Sequence, residues 1–341
     1  MSLNTHAATI LGDAGCIAVD CGAARGLLPH WRNLLGIAAL YLFEPDESAH
    51  PEIFRSLEAH GYQHARGRSV EVIGKALSAR GGPRVLHVTN VPTGSSLFDL
   101  DLEFALEYAD RDYLLPIRDV SIETHTLAAA LPRDRIARVD MMKLDTQGAE
   151  LEILQGLDDE RMGNVLSIEL EIAMHRATRG QPTFADVQAF MDARDMELFD
   201  LVPKRTHLKS CDGGDYHRAV FGTYANAPTI APRLWEVDAM YFKKAEVVLA
   251  KRDEAAVRRL CLAYCTYGFF AHAHKLLDRA TSAAMIDAAG RDRLQSAIVE
   301  WHRRLHWTTA PLNVVERAIY KLVDRVADAA DPPPAATRNN Y

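Results

Sequence analysis

No run of about 18 apolar residues occurs in the 341-residue sequence, so nothing in it reads as a membrane-spanning helix. The opening residues MSLNTHAATILGDAG lack the basic patch and apolar stretch of a secretory signal, which makes a cytoplasmic location the expectation. Cysteines number five, an odd count without a CxxC pair, so neither a disulfide framework nor a zinc ribbon is indicated. Positive charge is also short. A net charge of −7 argues against a nucleic-acid-binding surface, and no nucleic-acid partner is expected. HExxH and a repeat of fixed period are absent too.

What is present is an ordinary globular composition, 48% hydrophobic and 25% charged, long enough for a large α/β domain with an addition. Strand-like runs alternate with helical patterns: Ile17 to Asp20, a helix near Leu28 to Leu35, Leu40 to Phe43, and a helix around Pro51 to His60. That rhythm predicts a parallel sheet wrapped by helices. Val70 to Ile73 and Arg84 to Thr89, with the turn residues Ala79 to Pro83 between them, suggest a strand and its antiparallel return. The acidic stretch within Gly94 to Tyr113 reads as a surface loop or short helix near the site mouth. Further strands are expected at Val165 to Ile172, Glu197 to Leu201 and Val237 to Phe242, and Thr183 with Asp186 forms a capping-box pattern. From about Ala245 only helical spacing remains, as in Val257, Leu260 and Tyr264, or Val315, Ile319, Leu322 and Val326. The expected division is 1–244 catalytic domain, 245–330 helical extension and 331–341 disordered tail. The last helix is expected to pack on the domain or on a second copy, so a homo-oligomer stays open.

The run CIAVDCGAARG, Cys16 to Gly26, is the most informative stretch: a strand, a tight turn and the start of a helix. A dinucleotide site there would want Gly-x-Gly-x-x-Gly, whose bare amides face a pyrophosphate. Asp20 replaces the first of those glycines and would repel phosphate while suiting a cation. S-adenosylmethionine (SAM), which has no phosphate and carries an ammonium group, fits better than NAD. The next apolar run ends at Glu44, where an acid can accept from the two hydroxyls of a ribose; the plain alternative is a strand end before Pro45. The stretch VDMMKLDTQGAELEILQGL, Val139 to Leu157, repeats the strand, turn and helix order, with Leu151, Leu154 and Leu157 on one side of the helix.

Taken together, VDCGAARG, LFEPD, TNVPTGSSL, KLDTQGAELEILQG and IELEIAMHRATRGQPTFADVQAFM give a chain that resembles the FkbM family of SAM-dependent methyltransferases over roughly residues 15 to 243. The resemblance implies a class I (Rossmann-like) fold with a seven-stranded sheet, helices on both faces and an antiparallel last strand. It also implies methyl transfer, usually to a hydroxyl oxygen of a sugar or a polyketide-type metabolite. The acceptor partner is accordingly expected to be a small molecule or a glycan. The C-terminal helices depart from the family pattern. A Rossmann-type NAD-dependent oxidoreductase and a non-catalytic methyltransferase-like scaffold are the competing readings.

On this reading Asp20, Gly22, Ala23 and Gly26 from the first turn, Glu44 and Pro45 from the second, and Ala76 past the third strand face the cofactor. The two glycines are expected to leave room for it. Asp145, ending the fourth strand of the expected sheet, is the first candidate for general base or acceptor holder, the alternative being a cap for the helix near Gly148. Glu169 and Glu171 interrupt an apolar strand; they could act with Asp145 in base chemistry or around a divalent metal, or pair with Lys143. His175 is a further candidate base, as is His125, each one among fourteen histidines.

Overall fold

The computed structural model describes residues 3–60, 62, 70–108, 114–206 and 233–305. Helix α1 (Leu3–Leu11) leads into β1 (Ile17–Cys21), a 3-10 turn (Pro29–Leu34), β2 (Ala39–Phe43), α2 (His50–Ala59) and β3 (Val70–Ile73). Then come β4 (Ala76–Leu77), β5 (Gly82–Thr89), α3 (Leu102–Leu106), β6 (Pro116–His125) and α4 (Leu127–Ala130). β7 (Met141–Leu144), α5 (Glu150–Gln155), α6 (Asp159–Asn164), β8 (Ser167–Ala173), α7 (Phe184–Asp192), β9 (Met196–Thr206) and β10 (Arg233–Lys243) complete the core.

Seven strands form one sheet in the order β3-β2-β1-β7-β8-β10-β9. All pairs are parallel except those of β10, which runs antiparallel to β8 and β9. This is the expected class I arrangement. β1 and β7 sit at its centre and are apolar on both faces except at Asp20 and Lys143, as strands covered by helices on each side must be. The order reverses between β1 and β7, so the loops after them open a crevice at the carboxyl edge.

Two local expectations change. The segment after Gly26 is a 3-10 turn with i to i+3 bonds, such as Trp31 N to Leu28 O at 3.0 Å, rather than an α-helix; it ends at Gly36, whose φ is +78°. The runs at Val70 and Arg84 are not a strand and its return. β3 is committed to β2, with Leu40 opposite Val70 and Phe43 opposite Ile73, so its chain leaves the sheet. β5 instead pairs antiparallel with β6 in a separate three-stranded sheet, β4-β6-β5. The capping box at Thr183 and Asp186 forms as expected. The acidic stretch contains the short helix α3, and Leu151, Leu154 and Leu157 are all buried, although α5 ends before the last of them.

Helices Ala245–Ala250, Glu254–Thr266, Phe270–Ser282 and 288–305 follow β10. Val257, Leu260 and Tyr264 are buried as their spacing predicts, and Cys261 and Cys265 are fully enclosed as small apolar groups. They join one core with Ile10 and Leu11 of α1 and with Ala18, Leu40, Met141 and Phe242 of the sheet. At the amino edge the buried Asp140 ties these layers together: its Oδ1 lies 2.6 Å from Arg138 Nε and 3.2 Å from Arg259 Nε, while Oδ2 accepts from Ile17 N at 2.8 Å. The helical spacing at Val315 to Val326 and the Pro-rich tail lie outside the described residues. Among the described residues no helix is long and apolar enough to cross a membrane.

Candidate functional site

The crevice at the carboxyl edge is built from the turns after β1, β2 and β7. In the first, Gly22 and Ala23 donate to Phe43 O at 3.0 and 3.1 Å, and Gly26 donates to Ala23 O at 2.7 Å. The glycines are required here by the protein's own atoms. A Cβ on Gly22, whose φ is +89°, would stand 2.0 Å from the carbonyl oxygen of Asp145, and one on Gly26 would stand 2.5 Å from Ser56 Oγ. The close approach of the β7 turn at Gly22, and of Ser56 on α2 at Gly26, is a reason for these two glycines beside the expected cofactor clearance.

Asp20 is fully buried and opposes Lys143, its register partner on β7. Lys143 Nζ lies 3.1 Å from Asp20 Oδ1 without hydrogen-bond geometry, and donates to Gly22 O at 3.0 Å. Burial pushes the Asp20 carboxyl up, against the pull of the ammonium. Burial opposes charge on Lys143 as well, but Asp20 and Asp145 outweigh it and hold the amine above its ordinary range. Lys143 thus links the buried Asp20 to the Gly22 backbone at the crevice.

Glu44 ends β2 with 6% exposure, and its Oε1 accepts from Asp46 N at 2.8 Å. The other oxygen has no partner among the described residues. Burial comes first among the causes that raise the Glu44 carboxyl. Pro45 beside it is exposed, and Ala76 is buried in β4 opposite Thr124.

At the end of β7, Asp145 has a side chain 42% exposed, 3.9 Å from Lys143 Nζ and accepting from Gln147 Nε2 at 3.2 Å. It does not cap α5. Glu150 ties that turn instead, its Oε1 accepting from Thr146 N at 2.7 Å and Gly148 N at 3.2 Å, and burial pushes Glu150 up to about 6. Gln147 lies in the turn expected within Val139 to Leu157. It occupies the left-handed region at φ +56° and donates to Glu171 Oε2 at 2.8 Å, so a strained turn joins the two acids.

Glu169 and Glu171 share one face of β8 but take different partners, neither of them Lys143. Glu169 Oε2 lies 2.9 Å from His30 Nε2, and Glu171 Oε1 lies 2.5 Å from Lys204 Nζ, which also holds Asp238 at 2.7 Å. Burial, aided by Asp145 and Glu236, pushes Glu171 up to about 8. His175 packs against Trp235 and Phe104 with Arg233 at both ring nitrogens, and His125 ends β6 with its carbonyl accepting from Ser78 N. Among the described residues no group of three or more His, Cys, Asp or Glu is arranged to hold a metal ion.

A cleft runs from this rim toward the three-stranded sheet. Its wall carries His87, Thr89, Ser96, Gln147, Glu171, Thr178, Gln181 and Glu236, with Phe98, Leu114 and Trp235 as apolar surface and no lysine or arginine among the described residues. Sequence reading missed this cleft, because the second sheet that closes it was not recognised.

A family model of the methyltransferase FkbM domain matches residues 20–198. Methyltransferase 1 of Beauveria bassiana (strain ARSEF 2860) is 25% identical over 214 residues, covering 55% of this chain and 80% of that protein. Among solved structures, magnesium protoporphyrin IX methyltransferase from Synechocystis PCC 6803 with bound SAM is 12% identical, covering 71% of this chain and 78% of that one at a TM-score of 0.32. A protein of the NADB-Rossmann superfamily from Streptococcus agalactiae is 11% identical, covering 89% and 98% at 0.31. Overlaps this loose carry no functional argument.

Proposed function

The chain belongs to the FkbM family of SAM-dependent methyltransferases, and from that premise we propose that it methylates a hydroxyl oxygen of a carbohydrate or a secondary metabolite. The observation that carries the acceptor class is the cleft wall: hydroxyls, amides, two acids and His87, itself paired with Asp119, beside an aromatic surface, with no lysine or arginine among the described residues to hold a phosphate or carboxylate. Such a wall suits an uncharged, hydroxyl-bearing molecule.

The residues at the crevice fit the cofactor. Glu44, a buried side chain, offers to the ribose hydroxyls a carboxylate oxygen without a partner among the described residues, the turn Gly22 to Gly26 is bonded to the neighbouring Phe43 O, and Pro45 and Ala76 are assigned to the adenosine. The acid-rich rim suits a cation and disfavours pyrophosphate, which sets the oxidoreductase reading aside along with the family match. SAM, when bound, supplies a methyl group already activated on a sulfonium. Asp145, half exposed between Lys143 and Gln147, is assigned to hold the acceptor hydroxyl in line, and alignment of this kind supplies much of the rate gain. Glu169 is assigned to its pair with His30, and His175 to positioning Arg233 and the aromatic cluster rather than to base chemistry. The domain is proposed to extend over 1–244, with the following helices as an extension that shares its core.

Calorimetric titration with SAM, S-adenosylhomocysteine and NAD, followed by an acceptor screen, tests the reading. Asp145→Asn should bind SAM as the wild type does and lose on the order of 100-fold or more in turnover. Glu44→Ala should weaken SAM by roughly tenfold or more. Unchanged turnover in the first removes Asp145 from the site. SAM binding without methylation of any acceptor supports the scaffold reading instead.

A further inference from the structure

His30 and His175 differ in what their ring nitrogens are free to do. His175 has both engaged: Nε2 lies 2.9 Å from Leu234 O and 2.9 Å from Arg233 Nε, and Nδ1 lies 3.1 Å from Arg233 Nη2. His30 has one engaged, Nε2 at 2.9 Å from Glu169 Oε2, while Nδ1 has no partner among the described residues. A carboxylate oxygen only accepts, so Nε2 carries the ring proton and Nδ1 presents a lone pair. The side chain is 32% exposed. This is the arrangement of a base held in one tautomer by an acid behind it.

Three elements fix the ring. The 3-10 turn that carries His30 starts just after Gly26, so the imidazole belongs to the same rim as the β1 turn. Glu169 is the register partner of Lys143, which in turn partners Asp20, and the row they form across β8, β7 and β1 reaches Asp145 through Lys143 Nζ. Tyr267, in the turn that ends helix Glu254–Thr266, lies against the imidazole with ring centroids 4.9 Å apart, and its hydroxyl accepts from Trp31 Nε1 at 2.9 Å.

We propose that the His30–Glu169 pair accepts the proton of the acceptor hydroxyl, and that Tyr267 of the C-terminal helices is a positioning residue behind it. This rests on the hydroxyl-methylating reading above. As the acceptor oxygen bonds to the methyl carbon, the carbon–sulfur bond breaks with its electron pair passing to sulfur. The hydroxyl proton passes to Nδ1 of His30, and Glu169 stabilises the imidazolium until the proton leaves to solvent from the exposed side of the ring. The groups in contact with the imidazole are Glu169 on β8 and Tyr267, and Lys143 on β7 and Asp20 on β1 follow Glu169 in register across the sheet.

The test combines nitrogen NMR of His30 with pH-rate profiles, using methyl hexopyranosides as acceptors. In the protein without acceptor, the neutral imidazole should carry its proton on Nε2 and leave Nδ1 unprotonated. A proton on Nδ1 in the neutral ring would overturn the proposal. His30→Gln should leave SAM affinity by calorimetry unchanged, cut kcat by on the order of 100- to 10,000-fold, and remove the acid limb of the profile. Glu169→Gln should lower kcat and abolish the preference for the Nε2 proton in the NMR spectrum, and Tyr267→Phe should lower kcat without changing the KM for SAM. Retained turnover with an intact acid limb in His30→Gln also overturns it. If the wild type methylates none of these glycosides, the acceptor reading fails, while the NMR tautomer still decides whether His30 is poised as a base.

Discussion

At Gly22 a single missing carbon decides whether two central turns can meet. The backbone lies at φ +89° and the space a Cβ would fill is already held by the carbonyl of Asp145. Gly22→Ala should therefore destabilise the protein by about 3 kcal/mol or more in urea unfolding, whether or not cofactor is present. A stable variant with weakened SAM binding would favour the clearance explanation instead. Glu150 makes a second residue-scale case, since its carboxyl sits near 6 in the fold against an ordinary 4.5 because of burial. A raised carboxyl contributes stability that is full below the unfolded value and is lost as pH rises through about 6. Glu150→Gln keeps an acceptor for Thr146 and Gly148 without the charge. It should match the wild type near pH 4 and exceed it by about 2 kcal/mol above pH 7, measured by denaturation at both pH values.

The strands at the element scale are specified by what covers them. β7 is four residues long and buried throughout, and the one charged side chain it carries is matched by acids on either side. Helix Glu254–Thr266 is fixed at its amino end, where Arg259 reaches Asp140 at 3.2 Å and Ala14 O at 3.1 Å. Losing that guanidinium leaves a buried carboxylate with Arg138 as its one cation among the described residues. Arg259→Met should cost about 2–3 kcal/mol, and amide hydrogen exchange should rise in this helix and in α1 together. Protection unchanged in α1 would show that the helix is held by its apolar face alone.

For the whole molecule, one buried cluster runs from α1 through the sheet into the last helices. Residues 1–244 and the helices after them should therefore unfold in a single calorimetric transition whose midpoint rises with SAM, by about 2.7 kcal/mol of stabilisation at a hundredfold excess over Kd. Two transitions, only one of them responding to SAM, would mean that the helices form an independent unit.

The strands of the seven-stranded sheet, the two turn motifs with Asp20, Glu44 and Asp145, and the family are legible in the sequence, because alternation of apolar runs with punctuating Gly, Pro and Asp is a local signal that survives without neighbours. Tertiary structure decided the rest. That β3 turns away from β5 depends on which strand claims its edge, and the partners of Glu169 and Glu171 depend on chains distant in sequence, His30 and Lys204. Nothing in the run from Gly26 to Leu35 marks His30, and nothing in the C-terminal spacing marks Tyr267. They meet because both pack at the carboxyl edge of one sheet, and side-chain pairing across such an edge is a property of the folded surface rather than of local spacing.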